Sequence, residues 1–243
     1  EIKGDQGGRF LFGKYEIEKM EWEDERILID VDTPEDYAMK KKHMGSNNRI
    51  AAIVLAAGES KRMQLSKIVL PWKGRTVIVH IISVLEEAGI EEIVIVSGGY
   101  RELVEAEVAK TSARCIFNPE FHNDEMTISL RFGLSEVNFK EYSGFFFTLG
   151  DQPMVFAADL LKMIEKHQAN PEKIIIPSYN VRRGHPWLIP ARFVDELKEL
   201  QPPETLRTFL KHHEAEIEYV LVDNPGILSD LDTPEDYQKM KPD

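Results

Sequence analysis

The polar and apolar positions of this chain fall into a repeating alternation of short continuous apolar runs and longer amphipathic stretches. Ile50 to Leu55 is the first such run and predicts a buried strand, and Val77–Ala88 behind it has helical spacing. Strands are then predicted at Ile93–Ser97, Ala113–Phe117, Phe145–Leu149, Lys173–Pro177 and Ile217–Val222, with Trp187-Leu188-Ile189 a further apolar run. Helices are predicted over Arg101–Lys110, Thr127–Val137 with Thr127 as N-cap, Ala157–His167, Ala191–Leu200 and Glu204–His213. Thr233-Pro234 with acidic residues behind it starts a last helix, since Thr favours the cap and Pro the first turn. Strand runs without internal alternation, interleaved with helices, predict an α/β fold whose mostly parallel sheet is covered on both faces.

The first fifty residues break this pattern. Shifted by 200 positions without a gap, residues 16–37 match residues 216–237 at 12 of 22 positions, including Asp32-Thr33-Pro34-Glu35-Asp36-Tyr37 against Asp232 to Tyr237. A repeat of a terminal element predicts that residues 1–44 are a tail-like copy of the end of the domain at 49–243, joined through a linker at 45–48. Such a tail is expected either to cap a neighbouring copy, giving self-association, or to pack as a surface remnant. Asp30 and Asp32 repeat the acidic pair of the last motif but have no loop of their own to serve, so they are not expected in the site.

Charge and composition narrow the partners. A formal net charge of −12 over 243 residues, with no extensive basic cluster, disfavours nucleic acid, which needs a cationic face. No apolar run approaches the roughly 18 residues of a membrane-spanning helix. The single cysteine, Cys115, sits in an apolar strand and predicts a structural thiol, in keeping with a reducing cytoplasm. The paired His212-His213 lack a spaced partner and read as a solvated helix end.

Three stretches carry chemistry. Leu55-Ala56-Ala57-Gly58-Glu59-Ser60-Lys61-Arg62-Met63-Gln64-Leu65-Ser66-Lys67 is a small-residue turn between strand and helix, followed by hydroxyl and basic groups. Such a turn lets backbone N–H groups approach phosphate oxygens. It is neither a P-loop, which needs Gly-Lys-Ser/Thr, nor a dinucleotide fingerprint, so ATPase and dehydrogenase readings are excluded. Gly150-Asp151-Gln152-Pro153 places a carboxylate at the end of a buried strand, where it suits magnesium bridging nucleotide phosphates. Asp230-Leu231-Asp232 precedes the last helix start. In an open α/β sheet the carboxyl ends of the strands share one ligand edge, so the turn and Asp151 are expected together.

The pattern L-A-A-G-x-S-x-R-M-x-x-x-K, followed in order by G-D-x-P, G-H-P and D-x-D-T-P-E-D, resembles the nucleotidyltransferases that activate molybdenum cofactor, in particular the cytidylyltransferase branch within the MobA-like NTP transferase superfamily. The resemblance covers residues 49–243 and implies a three-layer Rossmann-like nucleotidyltransferase fold. It implies that Arg62 and Lys67 neutralise the triphosphate and that Asp151 is catalytic and, with Asp230 and Asp232, holds Mg2+ or Mn2+. Leu55, Ala56, Ala57, Gly58, Ser60, Gly98, Asn118, Ser129 and Gly150 are implied around the nucleotide, and His185 on the acceptor side. The implied reaction moves CMP from CTP to the terminal phosphate of molybdopterin, whose product passes to a molybdoenzyme. CTP over GTP rests on Ala56-Ala57-Gly58, where the guanylyltransferase branch usually has Ala-Gly-Gly. Gln64 and Ser66 stand where the family has glycine and proline, which predicts a different loop path ahead of Lys67, and Glu125 replaces the family's usual glycine before Met126. The alternatives are CMP transfer to a sugar, alditol or lipid-precursor phosphate, or a non-catalytic nucleotide-binding module.

Overall fold

A computed structural model describes residues 48–59, 66–123, 126–201 and 203–242. The repeated segment within residues 1–44, together with Ser60, Arg62, Gln64 and Glu125, lies outside the described residues. The elements run β1 (Ile50–Ala56), β2 (Pro71–Trp72), β3 (Arg75–Thr76), α1 (Val77–Glu87), β4 (Glu92–Ser97), α2 (Arg101–Val108) and β5 (Arg114–Phe117). They continue with α3 (Met126–Ser135), β6 (Gly144–Leu149), α4 (Ala157–Ala169), β7 (Ile174–Tyr179), β8 (Arg182–Arg183) and β9 (Trp187–Pro190). The last are α5 (Val194–Glu199), α6 (Leu206–His212), β10 (Ile217–Leu221) and α7 (Pro234–Met240).

The main sheet has the order β10-β7-β9-β6-β1-β4-β5, with β8 paired to β7. It is parallel except where β9 runs antiparallel between β6 and β7 and where β8 folds back on β7. The expected α/β architecture is therefore present, a parallel sheet interrupted by one reversed strand. The reversal follows from chain length: a tight turn at Asn180 and Val181 sends the chain back after β7, and β8 and β9 continue in that reversed sense, because the connection is too short for a crossover helix.

Both faces are covered. Along β1, Ala52 and Val54 face a core built with Ile78, Leu85, Val104 and Leu160 of α1, α2 and α4. Ala51 and Ile53 face the opposite core, with Leu130, Leu134, Leu197 and Phe209 of α3, α5 and α6. Central β6 splits the same way, Phe146 to one side and Phe145 and Phe147 to the other, all completely buried. Phe146→Ala is expected to cost about 3–5 kcal/mol, from lost transfer energy and the cavity left behind. A urea titration should show a lower midpoint at unchanged slope.

Local boundaries differ from the sequence expectation in four places. Helix α3 begins at Met126, so Thr127 sits buried in its first turn and is not the cap. Residues 191–200 divide into a 3-10 turn (Ala191–Phe193) and the short α5, and a two-stranded hairpin, β2–β3, turns at Lys73 and Gly74, both at positive φ. His212 is exposed as expected, but His213 is not a solvated end: it packs on Phe193 and Phe209 and bridges Glu196 and Glu216 at 2.8 and 2.7 Å. The last helix start agrees in detail, with Thr233 and Asp236 closing a capping box around Pro234. Cys115 is a partly buried strand thiol whose pKa burial raises. Among the described residues no helix is long and apolar enough to cross a membrane.

Candidate active site

The site lies at the carboxyl ends of β1, β4 and β6, where the backbone is built to converge. Gly150 N–H donates to the Leu55 carbonyl at 2.9 Å, and a Cβ on Gly150 would stand 2.8 Å from that same oxygen. Only glycine allows the two strand ends to close to this distance. On the other side Gly98 does the same for the turn: Gly99 N–H donates to the Ala57 carbonyl at 3.2 Å, and a Cβ on Gly98 would meet that oxygen at 2.4 Å. Gly58 itself is exposed and its Cα faces open space.

Into this edge the chain delivers its charges. Ser66 holds φ −65°, the angle a proline would impose, so the backbone at this one position is one that proline could also adopt. Lys67 follows, and its Nζ lies 2.5 Å from Asp151 Oδ2 and 3.1 Å from Asp232 Oδ1. The lysine side chain is only 14% exposed. Burial alone would depress its pKa, yet the Asp151 and Asp232 carboxylates outweigh burial and hold it above the ordinary lysine value. Asp232 is brought in because Leu231 N–H donates to the Asp151 carbonyl at 3.0 Å, docking the chain before α7 onto the end of β6. Asp230 is turned aside, its Oδ1 taking the amide of buried Gln152 at 2.5 Å. Desolvation of the carboxyl and the charges of Asp151 and Asp232 raise its pKa, against that hydrogen bond. Among the described residues no group of three or more His, Cys, Asp or Glu side chains is arranged to hold a metal ion.

Two cavities meet here. The smaller, about 160 Å³, is walled by Leu55, Ala57, Gly58, Ser129, Leu149 and Asp151. Asn118, expected beside the nucleotide, is instead completely buried: its amide donates to Ser129 Oγ at 3.0 Å and its oxygen accepts from Glu120 N–H, so it positions the serine from behind. Ala56 is likewise buried under the turn. The larger cavity, about 720 Å³, shares Met126 with the first and is lined by Arg183, His185, Trp187, Thr205 and Arg207 among others. His185 stacks on Trp187 with ring centroids 4.5 Å apart and 16° between planes. Burial holds the His185 imidazole neutral, its pKa lowered to about 4 against the opposing pull of its hydrogen bond with the Phe147 backbone. Its Nδ1 is buried with no hydrogen-bond partner.

The structure thus gathers Leu55, Ala57, Gly58, Lys67, Gly98, Ser129, Gly150, Asp151 and Asp232 at one edge, with His185 in the adjoining cavity. Sequence reasoning missed Arg183, Trp187, Thr205 and Arg207. The signal that was available is the neighbourhood of the G-H-P stretch, since Arg183 and Trp187 flank it within two residues of His185.

A family model for the MobA-like NTP transferase domain matches residues 52–217. Among curated relatives, the molybdenum cofactor cytidylyltransferase of Escherichia coli (strain K12) is 29% identical over 194 residues, which cover 77% of this chain and 93% of that protein. The bifunctional protein GlmU of Syntrophomonas wolfei is 26% identical over 136 residues, 55% of this chain and 29% of that protein, so the chain spans less than a third of that relative's length. Of solved structures, Rv0371c from Mycobacterium tuberculosis H37Rv has a TM-score of 0.70 at 27% identity, covering 80% of this chain and 98% of that one. A complex of Rv0371c with manganese has a TM-score of 0.67 at 26% identity, covering 79% and 98%. The matched span runs from Ala52 in β1 to Ile217 at the start of β10 and contains Lys67 and Asp151, and the chain therefore belongs to the family of MobA-like NTP transferase domains, which are nucleotidyltransferases.

Proposed function

We propose that this protein transfers CMP from CTP to the terminal phosphate of molybdopterin, releasing pyrophosphate. The observation that carries the reading is the meeting of Lys67, Asp151 and Asp232 beside the glycine turn, next to a cavity large enough for a second substrate. The acceptor phosphate oxygen attacks the α-phosphorus of CTP as the bond to pyrophosphate breaks, without a covalent enzyme intermediate. The rate then comes from positioning and charge neutralisation. The turn at Ala57 and Gly58 cradles the triphosphate, and Lys67 and Arg62 neutralise it, with Ser60 as a hydroxyl donor.

The residues fit a divalent ion. Asp151 Oδ2 and Asp232 Oδ1 converge on one cation, the Lys67 ammonium, which stands in for the metal charge that hard oxygen donors attract. Asp151 and Asp232 would hold Mg2+ or Mn2+, while Asp230, whose carboxylate accepts from Gln152, adds only negative charge nearby. When bound, the ion supplies neutralisation of the charge that develops on the phosphate oxygens.

The larger cavity supports a flat, anionic acceptor. The stacked rings of His185 and Trp187 offer an aromatic surface, and Arg183 and Arg207 offer charged donors suited to phosphate. Arg207→Ala is expected to raise the acceptor KM by about 10- to 100-fold, the worth of a hydrogen bond to a charged group, with the KM for CTP unchanged. The product would be handed on to a molybdoenzyme in the cytoplasm. Incubating the protein with radiolabelled CTP, magnesium and molybdopterin, with GTP as control, tests the reading. Label in a pterin dinucleotide from CTP supports it, and pyrophosphate release only with sugar or alditol phosphates assigns a different acceptor.

A further inference from the structure

The carboxylates that suit a divalent ion already hold a cation belonging to the chain. Asp151 and Asp232 lie 81 residues apart in sequence, yet each touches Lys67 Nζ, and the lysine side chain is almost enclosed. Two carboxylates brought this close, with Asp230 beside them, would repel without a positive charge between them. Building on the nucleotidyl-transfer reading, we propose that Lys67 is an exchangeable counter-ion: it occupies the position of the divalent ion in the nucleotide-free protein and yields it when metal and triphosphate arrive together.

Three physical points support the exchange. A divalent ion binds carboxylate oxygen at about 2.0–2.2 Å, so an ion on both oxygens would overlap or strongly repel an ammonium 2.5 and 3.1 Å from them, and the two cannot coexist. The lysine is a point charge on a long flexible stem, able to swing without backbone movement, and its three donors suit phosphate as well as carboxylate. Metal arriving alone must expel the ammonium from a half-buried pair, whereas metal arriving with nucleotide offers the ammonium new anionic oxygens. Metal and nucleotide should therefore bind cooperatively, and by linkage the cooperativity is reciprocal. Lys67 is on this account a positioning residue before substrate arrives, holding Asp151 and Asp232 around one positive charge, and a triphosphate ligand afterwards.

The test compares Mn2+ binding, followed by electron paramagnetic resonance, to wild type, Lys67→Met and Lys67→Gln, with and without a CTP analogue bearing a methylene α,β-bridge. Without nucleotide, both variants should bind Mn2+ about tenfold or more tightly than wild type, because the Lys67 ammonium no longer opposes the ion. With the analogue the advantage should vanish or reverse, because the variants cannot give the triphosphate its lysine. Circular dichroism checks the fold of each variant, and the Gln variant serves should Met fail to fold. Equal Mn2+ affinity of wild type and variants without nucleotide overturns the exchange, as does a coupling between Mn2+ and the analogue that is the same in all three. Failure of every protein to bind the analogue overturns the nucleotidyl-transfer reading instead, while the metal-only comparison still decides the exchange.

Discussion

Asp151→Asn is expected to lower kcat by about 10²–10³-fold, the cost typically seen when one preorganised electrostatic group is removed from a transition-state site. The effect should be concentrated in chemistry because the substitution leaves the frame alone. Asn has nearly the volume of Asp, and the backbone here is fixed by bonds the side chain does not make: Gly150 N–H to the Leu55 carbonyl and Leu231 N–H to the Asp151 carbonyl. What is lost is a negatively charged acceptor of the Lys67 ammonium. The charge lost is the half-buried one, whereas Asp232, with 47% of its side chain exposed, is the more screened partner, so Asp232→Asn should cost less. Steady-state kinetics with magnesium varied against each variant checks the order. A kcat for Asp151→Asn near wild type, with unaltered metal dependence, would remove Asp151 from the site.

How far the sequence carried these conclusions depends on what each residue's role rests on. Strands β1, β4 and β6 were legible because each is a continuous apolar run, the pattern of a strand buried on both faces. Lys67 and Asp151 were legible as motif positions, and their meeting followed from the rule that strand carboxyl ends share an edge. The reversed β9 was not legible, since its apolar run reads the same in either direction and only the shortness of its connections fixes the sense. Asn118 and Ser129 were legible as positions of one motif, but the complete burial of Asn118 with its amide on Ser129 Oγ was not, since spacing alone does not reveal burial of a polar residue. Arg183 and Arg207 were illegible for another reason. One stands at the end of a two-residue strand and the other in the first turn of α6, and only the folded sheet brings β8 and α6 to one cavity.

The protein is also expected to lose stability steeply as pH falls from about 6.5 towards 4, because three histidines are held neutral by burial. His80, which bonds the Pro153 carbonyl at 3.1 Å, is lowered to about 4 by desolvation, with the charges of Lys73 and Arg75 adding to it. His167, completely buried with Nδ1 unpartnered, is lowered to about 4 by desolvation, and His185 is lowered to about 4 as well. The unfolded chain binds protons at these positions below about pH 6.5 while the folded chain does not, so unfolding is favoured as pH falls, until both states are protonated below about 4. Each of the three lowered pKa values therefore acts in the same direction over this window, and their effects on stability add. His213 opposes them: desolvation lowers its pKa, but bonds to Glu216 and Glu196 prevail and raise it, so its stabilisation is full below the unfolded value and fades as pH rises. One raised histidine against three lowered ones leaves the net slope positive with pH. Urea midpoints at pH 7, 6 and 5 should fall in sequence, and His167→Gln, which removes one of the protons taken up on unfolding, should flatten the decline even if it lowers stability at pH 7. A midpoint that stays level from pH 7 to 5 would mean that these imidazoles accept protons within the folded protein.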